Sequence, residues 1–188
     1  MATSSRDRMI RSAALLIRER GVEATSLSDV LEHSRAPRGS IYHHFPGGKA
    51  QLVEEATRYA GEFVGSALAH ALANDDLAGA VDGFVAYWRA TLRDTNFAAG
   101  CPVVAATLEG EATPGARDAA GAAFERWQAL VEAMLTRNGI PAARAQSLAT
   151  LVVSAVEGAV VLARAQRSTA PLERVADELR ETVRAALV

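Results

Sequence analysis

Apolar residues recur every three or four positions along nearly the whole 188-residue chain, and nowhere do β-branched residues alternate with polar ones between turn signals. That regularity leaves no room for a sheet and predicts an all-α fold of about nine helices. Met9, Ala13, Leu16 and Ile17 share one face of a first helix that begins after Ser4 or Ser5 and ends at Gly21. Thr25 or Ser26 is placed to cap a short helix from Leu27 to His33. Pro37 occupies a first-turn position for a second short helix, Arg38 to His44. Pro46-Gly47-Gly48 breaks the chain, and a long helix runs from Lys49 towards Ala73. Asn74 and Asp75 precede a helix from Leu77 to Arg93, Asn96 to Pro102 is a loop, and Val103 to Glu109 is a short helix or turn. Thr113-Pro114 opens a helix to Arg137, closed by Asn138-Gly139. Pro141 opens a long apolar helix to about Gln166, and Pro171 opens the last, to Ala186.

The length fits one domain, or a small one and a larger one. With 49% hydrophobic residues the chain can bury a sizeable core. Net charge is only −2, but its distribution is uneven: residues 1–50 hold eight basic and five acidic residues, a net of +3, so the remainder carries −5. A basic head on an acidic body points to an anionic partner for the head. The single cysteine, Cys101, can form neither an internal disulfide nor a cysteine-based zinc site, and its neighbours Gly100 and Pro102 supply no charge to activate it. The N-terminal apolar run AALLI is too short for a signal-peptide core. The apolar stretch Leu148 to Ala163 contains Glu157 and falls short of the ~20 residues of a membrane span. A soluble, cytoplasmic protein is expected.

Two short helices joined by a tight turn, after a longer first helix, have the layout of a helix-turn-helix. In such a unit the second helix enters the major groove, with its first residues facing base edges. Here those are Pro37, Arg38, Gly39 and Ser40. Arg38 can donate two hydrogen bonds to guanine O6 and N7, and Gly39 lets backbone approach closely. Tyr42 and His43 can reach phosphates, as can Thr25 or Ser26 at a helix N-terminus and Lys49 at the start of the long helix. With Arg35 in the turn, these are the DNA-binding candidates, and duplex DNA is the expected partner. Adjacent histidines point about 100° apart on a helix, so His43 and His44 cannot chelate one metal. No metal, no cofactor and no catalytic residue is expected, since no Ser/His/Asp set, carboxylate pair or phosphate loop is present.

The residues Gly21, Thr25, Val30, then Arg38-Gly39-Ser40-Ile41-Tyr42-His43-His44-Phe45, then Lys49 and Leu52, resemble the DNA-binding domain of TetR-type transcriptional repressors. The resemblance covers about residues 5–55 by motif, and the rest by its all-helical architecture. It implies that His44 and Phe45 pack the recognition helix in place. Ala36-Pro37-Arg38-Gly39-Ser40, Phe45-Pro46-Gly47-Gly48-Lys49 and Gly100-Cys101-Pro102-Val103 are similar to the LmrA/YxaF-like branch, which implies a ligand-responsive repressor, often of efflux or catabolic genes. Two departures stand out. Ser34-Arg35-Ala36-Pro37 replaces the usual Ala-Gly-Val-Ser of the turn, and a non-glycine residue at 35 costs ~1 kcal/mol if φ is positive. An extra glycine precedes Lys49.

The resemblance also implies a ligand cavity in the body. Its candidate lining is Phe63, Phe84, Trp88, Phe97, Cys101, Val104, Leu108, Phe124 and Trp127, with Tyr87 nearby and Gln128, Thr107 or Glu157 as polar contacts; simple core packing is the competing reading of each. Ser147, Thr150, Ser154 and Glu157 form one polar stripe on an otherwise apolar helix. Small residues there, Ala155, Gly158, Ala159 and Ala163, would let another helix approach. With Ser154 and Leu162 they suggest a homodimer built as a four-helix bundle of the last two helices and their symmetry mates. Glu157 lies on either that interface or the pocket wall. The division expected is a helix-turn-helix domain over 1–48 and a ligand-binding and dimerisation domain over 49–188. The function expected is a homodimeric, ligand-responsive repressor released from a pseudo-palindromic operator by an apolar or aromatic effector. A helical interaction protein without DNA binding, or less readily an enzyme using the cavity, stays as the alternative.

Overall fold

The structure, a computed structural model, describes residues 4–37, 39–73, 76–108 and 113–187. Among them are nine α-helices and no strand: α1 Ser5–Arg20, α2 Leu27–Ser34, α3 Ser40–His44, α4 Gly48–Ala71, α5 Leu77–Asp94, α6 Pro102–Thr107, α7 Pro114–Arg137, α8 Ala142–Gln166 and α9 Ala170–Ala185. The chain divides into two compact units, Met1–Phe63 with Cys101–Ala123, and Val64–Gly100 with Phe124–Val188.

In the first unit α1 packs against α2, α3 and α6. Its inward face is the one read from the spacing: Met9, Ala13, Leu16 and Ile17 are all buried. Ser4 caps it, accepting from the Asp7 N–H at 3.1 Å, and Gly21, with φ 83°, closes it by donating to the Ile17 carbonyl at 2.8 Å. Two polar contacts stitch α1 to α2: His33 Nδ1 lies 2.9 Å from Ser12 Oγ, and Arg8 Nε donates to the Ser34 carbonyl at 3.3 Å. In the second unit α8 packs against α9 and α5, and α5 against α9. Trp88, Leu92, Trp127, Met134, Leu135 and Leu148 are fully buried there. Arg180 pairs with Asp82, and Arg89 with Glu173, across the α5–α9 contact, and Arg180 also pairs with Asp177 within α9.

Two local readings change. The second short helix begins at Ser40, not at residue 38: the Pro37 carbonyl accepts from both the Ser40 N–H at 2.9 Å and the Ser40 hydroxyl at 2.6 Å, so Pro37 begins a turn that precedes the helix and is not in the helix's own first turn. Asn74, Asp75, Arg38 and Glu109 lie outside the described residues. Helix α8 extends on both sides of Leu148–Ala163 and, at 25 residues, is long and apolar enough by length and composition to cross a membrane. It is nevertheless a packed helix, burying Leu148, Val153, Val156, Val160 and even Glu157.

Arg35 takes the left-handed conformation, φ 52° and ψ 37°, as the C-terminal cap of α2. Its N–H and that of Ala36 donate back to Glu32 and Leu31 carbonyls at 3.1 Å, so the cap bonds of a glycine-ended helix form with an arginine in place. Arg35→Gly should therefore raise the stability of this region by about 0.5–1 kcal/mol, the relief of strain less the extra flexibility of unfolded glycine. Urea melts at unchanged m-value read this directly. A loss of stability would mean that the Arg35 side chain makes contacts that outweigh the strain.

Candidate nucleic-acid interface and ligand-binding body

The helix-turn-helix is positioned by its caps. Ser26, not Thr25, caps α2, and it does so reciprocally: Ser26 Oγ accepts from the Asp29 N–H at 3.1 Å, while the Ser26 N–H and hydroxyl donate to Asp29 Oδ2 at 2.8 and 2.6 Å. Thr25 turns inward, 3% exposed, and its hydroxyl donates to the Gly21 carbonyl at 2.8 Å, so this side chain is not offered to a phosphate. Ser26 stays exposed.

Helix α3 has two faces. Ile41 and Phe45 point into the core, at 2% and 0% exposure. Tyr42 is 68% exposed and His43 is exposed beside it. His44 is half-buried, its ring set edge-on to Phe45 with centroids 6.4 Å apart. Pro37 and Gly39 are exposed, and nothing lies within 4 Å of where a Cβ on Gly39 would be. The molecule's own packing therefore does not demand glycine at 39. Lys49 Nζ donates to the Glu23 carbonyl at 3.1 Å, tying the start of α4 to the α1–α2 loop and leaving two of its three donors for other partners. Arg35 is exposed at the turn, and Arg38 lies outside the described residues. Among the described residues no group of three His, Cys, Asp or Glu side chains is placed to hold a metal ion.

The proposed pocket residues divide between the units. In the first, Phe63 and Leu108 are exposed at 57% and 81%, Val104 is half-buried and Cys101 is buried at the N-cap of α6. Phe63 stacks on Tyr59. In the second, Phe84, Tyr87 and Trp88 form one ring cluster and Phe124 meets Trp127 edge to face at 5.2 Å. Trp127 is so closely packed that a Cβ on Gly65 of α4 would sit 3.1 Å from its indole nitrogen. Phe97 stands in the loop after α5 with φ 61°, next to Asn96 with φ 48°. Gln128 Nε2 reaches Thr150 Oγ1 at 3.4 Å, joining α7 to α8. Glu157 is buried on α8, whereas Ser147, Thr150 and Ser154 of the same stripe are exposed.

An apolar cavity of about 40 Å³ lies in the second unit, lined by the end of α4, the start of α5 and parts of α7, α8 and α9, including Leu72, Phe84, Met134, Val156 and Leu179. Of the pocket residues named from sequence, only Phe84 lines it. The aliphatic lining went unread because one Leu or Val at helical spacing is indistinguishable from core. The exposed face of α8 carries Leu151, Ser154, Gly158, Val161 and Leu162, with Ala155 half-buried at its margin. Ala159 is buried within the unit, so of the five interface residues named from sequence it alone faces fully inward.

Two family descriptions match the chain: "Bacterial regulatory proteins, tetR family" over residues 9–56, and "Transcriptional regulator LmrA/YxaF-like, C-terminal domain" over residues 78–178. The chain is 46% identical over 188 residues to the HTH-type transcriptional regulator Rv0196 of Mycobacterium tuberculosis, covering 97% of this chain and 95% of that one. It is 30% identical over 171 residues to the HTH-type transcriptional regulator LmrA of Bacillus subtilis, covering 89% and 90%. Its fold is similar to the crystal structure of a TetR transcriptional regulator from Legionella pneumophila, with a TM-score of 0.84 at 23% identity over 96% of this chain and 98% of that one.

The α2 cap makes a pH-dependent contribution whose sign follows from its bonds. The Ser26 hydroxyl, then the Ser26 N–H, hold the Asp29 carboxyl below its ordinary value of 3.8. A lowered carboxylate pKa adds stability that is complete above the unfolded value and is lost as pH falls through the lower folded one. Asp29→Asn should be less stable than the parent at neutral pH, and the gap should close as the pH is taken below 3.8. Paired melts across that range test it; a gap that ignores pH would show the carboxylate's charge to be irrelevant to the cap.

Proposed function

The chain belongs to the TetR family of bacterial regulatory proteins and is a helix-turn-helix DNA-binding transcriptional regulator; we propose that it is a cytoplasmic homodimeric repressor, released from a pseudo-palindromic operator by a small apolar effector. The observation that carries the DNA half of this reading is the two-faced α3. Ile41 and Phe45 anchor it, and Tyr42 and His43 are left outward with Gly39 in open space. In this reading Arg38 reads base edges, while Ser40, Tyr42, His43, Ser26 and Lys49 grip the backbone. Residues 1–48 then serve DNA binding, and 49–188 effector binding and dimerisation.

Two further features support the rest. At about 40 Å³ the cavity beside Phe84 and Met134 must widen to admit an effector, and its lining offers apolar contact only, which favours a hydrocarbon-rich molecule over one that needs hydrogen bonds. The exposed Leu151, Val161 and Leu162 on α8, with Gly158 open between them, favour pairing of α8 and α9 with their symmetry mates. A two-fold dimer would place two recognition helices in successive major grooves, about 34 Å apart. Helix α4 runs from Gly48, just after the recognition helix, to Ala71, beside the cavity-lining Leu68 and Leu72. An effector that favours one position of α4 and DNA that favours another would oppose each other through their differential affinities.

Binding to the upstream region of its own gene, followed across salt concentrations, tests the DNA half. Affinity should fall linearly on logarithmic axes, and Arg38→Ala should narrow the gap between operator and unrelated duplex by about 1–3 kcal/mol. Affinity indifferent to salt would remove the phosphate contacts. Arg38→Ala weakening every sequence alike would make Arg38 a backbone contact.

The dimer is tested separately. Leu162→Glu at this exposed position should leave the helical content intact, halve the sedimenting mass and cost operator affinity. An unchanged mass would place the dimer contact elsewhere or nowhere.

A further inference from the structure

The extra glycine of Phe45-Pro46-Gly47-Gly48-Lys49 has a structural counterpart at the corner where the recognition helix hands over to α4. Gly48 is left-handed, φ 65°, and its N–H donates to the Phe45 carbonyl at 2.9 Å, so glycine is favoured at 48 by conformation. Gly47 is constrained by a side chain instead. A Cβ there would lie 3.0 Å from Gln51 Cβ and 3.2 Å from Gln51 Oε1. That closeness has a purpose: the Gly47 N–H donates to Gln51 Oε1 at 2.9 Å. Gln51 Nε2 in turn donates to Glu55 Oε1 at 3.0 Å, and Arg6 of α1 donates to Glu55 Oε2. The same Arg6 guanidinium sits 5.4 Å from the centre of the Phe45 ring, at the C-cap of α3. Gly47, Gln51, Glu55, Arg6 and Phe45 thus form a chain of contacts that leaves the α3–α4 corner and returns to it by way of α1.

The residue types fit their places. Gly47 presents a donor and Glu55 an acceptor, and the amide of Gln51 supplies both complements from one side chain. Glutamate at 51 would face Glu55 with like charge, and an apolar residue would leave the Gly47 N–H without this acceptor. A spacing of four sets Gln51 and Glu55 on one face of α4, and Gly47 lies just before its first residue, within reach of Gln51. The Glu55 side chain is only 14% exposed, which spares its bond to Arg6 much of the weakening that water imposes on surface pairs.

We propose that Gln51 and Glu55 are positioning residues for sequence-specific recognition: they fix the α3–α4 corner so that the recognition helix meets base edges in one register. Neither side chain need touch DNA. Hydrogen bonds to base edges are directional and fail with small displacements, whereas attraction to phosphates tolerates them. Loosening this chain of contacts should therefore cost sequence discrimination and spare non-specific affinity, which a general loss of folding would not do.

The test uses the full chain, a duplex selected from a random library by the wild-type protein, and a shuffled duplex of the same length. Gln51→Met, of similar size but unable to link donor and acceptor, should bind the selected duplex on the order of tenfold more weakly, with the shuffled duplex and its salt slope unchanged. Gly47→Ala should do the same by displacing Gln51, and the double variant should be no worse than either single one, since both break one link. Glu55→Gln, still able to accept from Gln51, should keep more discrimination than Glu55→Met when melts show both equally folded. Undiminished discrimination in Gln51→Met would overturn the proposal. So would equal losses on both duplexes, additive losses in the double variant, or Glu55→Gln and Glu55→Met behaving alike.

Discussion

A five-residue helix cannot hold itself together in water, because nucleating a helical turn costs more than so few hydrogen bonds return. Helix α3 exists because Ile41 and Phe45 are driven into the core of the first unit and leave no freedom to the residues between them. Every DNA-facing property of the chain depends on that burial. It sets which side of α3 is outward, and so it presents Tyr42 and His43 as a pair. It also explains why supporting polar contacts gather here: Ser40 on Pro37, Lys49 on the Glu23 carbonyl, and Arg6 over the Phe45 ring. A short recognition element needs its frame supplied from outside itself.

The helices were legible wherever their ends were written in residues with local meaning. Gly21 and Asn138-Gly139 stop helices, and Pro114 starts one, because φ preference and missing donors act within a few residues. The start of α3 was not legible in the same way. Proline is tolerated in a first helical turn but does not create one, and here the Pro37 carbonyl begins a separate turn that leads into the helix. The N-cap choice between Thr25 and Ser26 was open for a similar reason. Both are good caps, and only the reciprocal bonds of Asp29 with Ser26, together with the burial of Thr25, decide between them.

The helix-turn-helix was legible in the sequence, and the cavity of the body was not. The candidate recognition segment carries an unusual set of side chains in a short span, which is what made the motif stand out. A cavity lined by Leu, Val and Met has no such signature. The tryptophans drew attention because they are large and rare, yet Trp88 and Trp127 are almost wholly enclosed and Trp127 is pressed against Gly65. Size makes an aromatic residue as useful to a core as to a pocket. Glu157 misled in the opposite sense. Its spacing put it on a polar stripe with Ser154, but it lies far enough round the helix to be buried while Ser154 is exposed.

An effector held beside Phe84 and Met134 would be selected by fit alone. A lining without hydrogen-bonding groups has no means to penalise a ligand for a missing hydroxyl or amine, and it discriminates only by volume and by the cost of burying polar atoms. One methylene more or less is worth about 1–3 kcal/mol in such a place. Response to a series of related hydrocarbons would then be graded by size, with no sharp boundary between functional groups. Met134, unbranched and adaptable, makes the grading gentler still, since it can fill space that a smaller ligand leaves. On the proposed reading, such a cavity would answer to a class of apolar molecules and not to one compound, whereas the DNA head, if it reads bases through directional contacts around α3, would be the part that discriminates sharply.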